Sequence, residues 1–101
     1  MIGGAMEMYI FARFHVREGM ESEAEKALQE VVQASREEAG CVNIHAYRAI
    51  RDGRLYYIHS TWVDTAAFEL HATLPHTVRF LERITELGDQ ERDVRRAERI
   101  A

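Results

Sequence analysis

The sequence WVDTAAFELHATLPH at residues 62–76 decides how this chain folds, because a strand gives way to helices within it. The tryptophan comes near the end of an apolar run that predicts a strand. Asp64 follows, where an aspartate side chain commonly caps the first turn of a helix. Pro75 suits the first turn of a further helix, with histidines before and after it. Because small-molecule pockets favour such concave junctions, we expect a binding site here.

Two elements are predicted ahead of this stretch. Met8–Val16 alternates between two apolar-rich sides and predicts a strand. Residues 24–35 repeat apolar side chains at helical spacing, behind a capping box formed by Ser22 and Glu25. Gly40 is expected to end this helix, since glycine is common at helix C-termini.

Residues 41–50 and 55–63 predict two more strands, joined as a hairpin by Asp52-Gly53. Residues 92–100 fit a helix or a strand. We favour a strand, because three strands would leave the second helical layer with too little sheet to cover. The order is then βαββαβ, an α+β ferredoxin-like sandwich with its helices on one sheet face.

Composition limits the function classes. The 101 residues suit a single domain over 1–101, with a core at 8–87 and a C-terminal strand or arm at 88–101. The net charge of -4 leaves no basic surface for nucleic acid. No apolar run reaches the ~20 residues of a membrane span. The lone Cys41 favours a reducing compartment and a cytoplasmic location.

Both sides of the predicted strands carry apolar side chains, although helices can cover only one side of the sheet. A bare apolar face of that size is rare on a soluble monomer. We therefore predict a homodimer in which the two open sheet faces pack together about a two-fold axis.

A two-residue turn at Asp52-Gly53 also predicts which side chains share a sheet face, since antiparallel partners point to the same side. It pairs Asn43 with Trp62 and Tyr47 with Ile58. One face would then carry a polar and aromatic group typical of a pocket wall: Asn43, His45, Tyr47, Ser60 and Trp62.

His71 is the candidate general base, because histidine alone titrates unperturbed near neutral pH. The structural alternative is a helix histidine bonded to a backbone carbonyl. Trp62 and Tyr47 are each as compatible with core packing as with a pocket wall. His76 fits packing or capping at a helix start better than a ligand contact.

Metal binding by His71 and His76 is not expected, because zinc on one helix face needs i, i+4 spacing and here the gap is five with Pro75 inside it. Arg36 and Glu38 are predicted to form an exposed helix-end pair. Cys41 follows a helix stop on an apolar strand, which favours inert burial.

The chain also resembles the antibiotic biosynthesis monooxygenase family of small dimeric α/β-barrel proteins. The resemblance spans about residues 8–87 and is carried by these segments: FHVREG at 14–19, SREEAGC at 35–41, Tyr47-Arg48, Trp62-Val63-Asp64 with Ala67, and HATLPH at 71–76. It implies face-to-face sheets in a dimer, one pocket per protomer, and oxygenation of phenols or quinols without metal or flavin in its best-known members.

Two departures from the family pattern matter. Ser60 stands where many members have a glutamate, and Ala12 stands where the heme-degrading branch has an asparagine. Heme degradation is therefore not expected.

Together with these residues, the resemblance implies a cofactor-independent monooxygenase that uses dioxygen on a small aromatic, phenol, quinol or polyketide-like substrate, with no metal site. The alternatives are an isomerase or epimerase of a small oxo-metabolite, and a non-catalytic dimer that binds a hydrophobic metabolite. The predicted catalytic residues are His71, Trp62 and Tyr47, and the predicted substrate-binding residues are Phe14, Asn43, Ile58, Ser60, Phe68 and His76.

Overall fold

The computed structural model describes residues 6–101, so residues 1–5 of the predicted domain lie outside it. Seven helices and strands follow one another: β1 Met8–His15, α1 Glu21–Arg36, β2 Cys41–Arg48, β3 Leu55–Trp62, α2 Thr65–Thr73, α3 Pro75–Leu87 and β4 Asp93–Ala97. None of the helices in this part of the chain has the length and apolar character needed to span a membrane.

The strands form one antiparallel sheet in the order β2-β3-β1-β4. This is the predicted ferredoxin-like α+β arrangement, and the expected closing strand is confirmed. β4 pairs with β1 from Tyr9↔Ala97 to Arg13↔Asp93. That pairing extends the sheet beneath the second helical layer, which Leu74 and Pro75 divide into α2 and α3.

The core lies between one sheet face and the helices. Ala12, Phe14 and Ile58 belong to a single buried cluster with the apolar stripe of α1 and with Phe80 and Ile84 of α3. The Phe14 and Phe80 rings meet edge to face with centroids 5.4 Å apart. None of the helices within residues 6–101 covers the opposite sheet face.

The predictions for the helix ends are partly correct. Asp64 caps α2 as predicted, because its Oδ1 accepts a hydrogen bond from the Ala67 N–H at 2.8 Å. Pro75 occupies the first turn of α3, as predicted. The expected capping box is wrong, because α1 already begins at Glu21 and no side chain caps it.

Gly40 serves packing rather than the end of α1, which already stops at Arg36. A Cβ atom at Gly40 would lie 2.4 Å from the Cβ of Ala67 in α2. Glycine at this position therefore lets the first turn of α2 approach the start of β2.

The two-residue hairpin is wrong. β2 ends at Arg48 and β3 begins at Leu55, and among the described residues only Gly19 has a positive φ. Asp52 accepts a hydrogen bond from the Arg54 N–H at 3.0 Å and also lies 3.0 Å from the His15 ring. This tertiary contact shapes the loop, so the Asp-Gly pair does not form the tight turn.

The strand register consequently differs from the predicted one by one residue. Tyr47 pairs with Tyr57 and Asn43 with Thr61, and the pairing is irregular between Cys41 and Asn43. A slip of one residue moves every side chain of a strand to the other sheet face. Ser60 and Trp62 thus face the helices, whereas Asn43, His45 and Tyr47 face away from them.

Candidate active site

A cavity of about 280 Å³ lies between the helix-facing side of the sheet and the three helices. Most of its wall is apolar, with Ile10, Ala12, Phe14, Ile44, Ile58, Phe68 and Phe80 among its residues; the polar members are Ser35, Ser60, His71, Thr77 and Arg92. An apolar chamber with a few polar groups is typical of a small-molecule site. A larger cleft of about 390 Å³ between α1 and α3 is lined by several charged side chains and lacks this character.

His71 supplies the titratable group of the cavity. It lies in the last turn of α2, and its residue surface is only 8% exposed. Its Nδ1 is 2.8 Å from Oε2 of Glu38, so Nδ1–H donates to the carboxylate. Burial lowers the pKa of His71 below its usual value, and the Glu38 hydrogen bond opposes this shift. His71 is therefore a neutral base at pH 7.

The hydrogen bond to Glu38 also selects the tautomer. With the proton on Nδ1, the lone pair of His71 lies on Nε2. Among the described residues, the side chains that bond the His71 ring, Glu38 and Thr77, both engage Nδ1. Nε2 is thus available to accept a proton from a bound molecule.

Glu38 is the functional residue that the sequence analysis missed. Its Oε2 accepts hydrogen bonds from Nδ1 of His71 and, at 2.7 Å, from Nε2 of His76. The predicted exposed pair is wrong, since the Glu38 side chain is only 11% exposed and Arg36 instead donates to the Ile44 carbonyl at 3.0 Å.

The close approach at Gly40 accounts for the position of Glu38. Ala67, which contacts Gly40, lies one helical turn before His71, and Glu38 lies two residues before Gly40. The carboxylate therefore reaches the imidazole across the gap between α1 and α2. No local pattern in the sequence signals this contact.

Trp62 packs against His71 on a side away from the cavity. It is completely buried, and its indole N–H donates to Ser60 Oγ at 2.9 Å. The indole and imidazole centroids are 4.4 Å apart, and the Phe68 ring lies 5.8 Å from the imidazole. These rings restrict the orientation of the imidazole, and Trp62 is not among the residues that line the cavity.

The predicted site residues divide into three groups. Phe14, Ile58, Ser60, Phe68 and His71 line the cavity. Trp62 and His76 lie behind it, in contact with His71 or Glu38. Asn43 and Tyr47 are exposed on the opposite sheet face, because the observed register differs by one residue from the predicted one.

Glu38, His71 and His76 are also the residues that could hold a metal ion, since each offers a ligand atom and these atoms lie within 4.8 Å of one another. The argument from i, i+4 spacing does not apply, because the break at Pro75 turns both imidazoles towards one carboxylate. In the structure both imidazoles meet the Glu38 carboxylate through hydrogen bonds.

The sequence profile of the family described as antibiotic biosynthesis monooxygenase matches residues 8–83. No functionally curated protein matches the chain. Among solved structures, PA3566 from Pseudomonas aeruginosa is similar at 28% identity, over 99% of this chain and 100% of that one, with a TM-score of 0.88. Rv0793 from Mycobacterium tuberculosis is similar at 20% identity, over 94% and 96%, with a TM-score of 0.88. A structure described as an antibiotic biosynthesis monooxygenase is similar at 18% identity, over 93% and 99%, with a TM-score of 0.89.

Proposed function

The chain belongs to the antibiotic biosynthesis monooxygenase family, and we propose that it oxygenates a small phenol or quinol with dioxygen, without a metal or flavin cofactor. The observation that carries the proposal is the Glu38–His71 pair, which presents a neutral imidazole to an apolar cavity. The family resemblance supports the reaction class and the absence of a cofactor.

The first step is removal of the substrate hydroxyl proton by Nε2 of His71. Glu38 holds Nδ1–H and stabilises the imidazolium that forms, as the carboxylate does in other carboxylate–histidine pairs. A positioned base of this kind typically contributes a factor of about 10²–10⁴ to the rate. Phe14, Ile58 and Phe68 exclude water, so the phenolate is poorly solvated and electron-rich.

The phenolate then transfers an electron to dioxygen, and the two radicals combine at a ring carbon. The His71 imidazolium protonates this peroxide. His71 next removes the proton from the same carbon while the O–O bond breaks, which leaves a carbonyl on the ring and releases hydroxide. Hydroxide takes the proton back from His71 as water, so phenol and O₂ become quinone and water.

Oxygen dependence separates this proposal from its alternatives. With a naphthoquinol as the probe, oxygen insertion gives a hydroxynaphthoquinone, and we expect one O₂ consumed per product molecule and no enzymatic turnover under argon. An unchanged rate under argon would instead favour an isomerase that moves a proton with the same histidines. Saturable binding without product would favour a carrier of hydrophobic metabolites.

We further propose that the protein is a homodimer joined by its open sheet faces. Phe11, Tyr47 and Tyr57 on that face are 53%, 52% and 41% exposed. Contiguous aromatic surface of this kind marks an interaction site, and a second copy satisfies it through two-fold symmetry.

A further inference from the structure

Ser35 carries a buried hydroxyl group on the cavity wall. It lies in the last turn of α1, is 0% exposed and lines the cavity. Its Oγ has no hydrogen-bond partner among the residues that the structure describes. A helical serine usually bonds back to the carbonyl one turn earlier, and native interiors leave few polar groups unpaired. Ser35 therefore needs a partner that residues 6–101 do not supply.

The other hydroxyls of the cavity wall are already engaged. Ser60 Oγ accepts the indole N–H of Trp62, and Thr77 Oγ1 lies 3.3 Å from Nδ1 of His71. Arg92, also on the wall, donates to the Thr85 hydroxyl. Among the described residues, Ser35 thus carries the cavity-lining hydroxyl that has no hydrogen-bond partner at all.

Ser35 and His71 are connected through Glu38. The backbone N–H of Glu38 donates to the Ser35 carbonyl at 3.0 Å, which places the two residues one turn apart. The Glu38 carboxylate in turn holds His71. Ser35 and His71 both line this small cavity, so a single ligand of that size contacts both residues.

We propose that Ser35 is a specificity-determining residue whose hydroxyl binds a second oxygen of the substrate, close to the oxygen that His71 deprotonates. The favoured substrates are then dioxygenated one- or two-ring aromatics, rather than monophenols. The size of the cavity agrees, because about 280 Å³ is at the lower limit of ligand pockets. This inference rests on the proposed function for the identity of the first oxygen.

Binding measurements in the absence of oxygen test the role of Ser35 without turnover of the ligand. The dissociation constants of 1-naphthol and of 1,2-, 1,4- and 1,8-dihydroxynaphthalene are measured by calorimetry on the full chain. We expect the best diol to bind about tenfold more tightly than 1-naphthol, which is the effect of one hydrogen bond. Ser35→Ala should abolish this preference, whereas the control Ser22→Ala, in the exposed first turn of the same helix, should keep it.

Two results would overturn the proposal. One is a wild-type protein that binds no diol better than 1-naphthol. The other is a Ser35→Ala protein that retains the preference, which would mean that only water uses the hydroxyl. Should Ser35→Ala fail to fold, Ser35→Cys keeps the volume, weakens the hydrogen bond and must reduce the preference. Because no oxygen is present, a diol preference without later oxygenation would contradict the proposed function alone.

Discussion

At the residue scale, one carboxylate oxygen shared by two imidazoles organises the candidate site. The histidines could be singled out from the sequence, because their residue type and their place after a strand indicate chemistry. Glu38 could not, because its role depends on a contact between elements 33 residues apart in the chain. Tyr47 and Asn43 were assigned to the wrong sheet face for a related reason. The face to which they point depends on the β2–β3 loop, which contacts His15 through Asp52.

Replacing Glu38 with glutamine tests the pairing with His71. The neutral amide neither selects the Nδ1–H tautomer as firmly nor stabilises the imidazolium, so we expect kcat to fall by about 10²-fold. The carboxylate also raises the pKa of His71, opposing burial. The acid limb of the kcat/KM profile should therefore move to lower pH in Glu38→Gln.

The matched control is His76→Asn, which removes the other partner of Glu38. The His76 ring centroid is 6.0 Å from that of His71, and His76 influences the His71 pKa less than Glu38 does. We expect its acid limb to move much less. An unshifted limb in Glu38→Gln would show that Glu38 does not act through His71.

At the element scale, sequence patterns predicted the first three strands and the helices, because burial on one face imposes a repeat that the sequence displays. β4 was predicted instead from the sheet area that the second helical layer needs. The β2–β3 register was not predictable from turn chemistry. The Asp52–His15 contact between distant segments overrides the local preference of Asp-Gly. The close approach of α2 to β2 was likewise not predictable. A glycine after a helical pattern is usually interpreted as the end of the helix and not as a site of close packing.

Gly40→Ala tests how the elements position the site. The added methyl would overlap Ala67, so α2 must shift, and we expect unfolding to become easier by about 1–3 kcal/mol. Because His71 lies on α2, activity should fall as well. Denaturant titration and steady-state kinetics measure both effects.

Gly53→Ala is the control, because a Cβ atom at Gly53 meets nothing within 4 Å and the residue has no positive φ. Its stability should stay within about 0.5 kcal/mol of the wild type. Equal stability and activity in Gly40→Ala and Gly53→Ala would contradict the packing argument.

At the scale of the whole molecule, His15 joins three parts of the chain. Its ring lies at the end of β1, 2.6 Å from Asp89 after α3 and 3.0 Å from Asp52 in the β2–β3 loop. The hydrogen bond that His15 donates to Asp89, together with the contact to Asp52, raises the pKa of His15 above 6.5 despite burial, and the pKa values of both carboxyl groups are lowered.

This cluster makes stability depend on pH in a defined direction. A raised histidine pKa contributes stability that is complete below about pH 6.5 and is lost as pH rises through the folded pKa. The lowered carboxyl pKa values contribute stability that is lost as pH falls below their usual value of 3.8. We expect the melting temperature to decline from pH 6 to 8 by roughly a few degrees more in the wild type than in His15→Gln. If melting temperature depended on pH in the same way in both proteins, a contribution of His15 to the pH dependence would be excluded.

Dimerisation is tested by placing a charge on the open sheet face. Light scattering after gel filtration should give about twice the 11.7 kDa chain mass for the wild type and a single chain mass for Phe11→Asp. The control Val78→Asp, at a 41% exposed position on α3, should remain dimeric. A monomeric wild type would refute the face-to-face dimer.

The central claim is that His71, held by Glu38, begins an oxygenation inside the cavity. The most direct measurement is turnover of a naphthoquinol under ¹⁸O₂ by the wild type and by His71→Asn. We predict one labelled oxygen in the hydroxynaphthoquinone product, the other in water, and a rate at least about 10²-fold lower for His71→Asn. Unlabelled product, or an undiminished rate in His71→Asn, would contradict it.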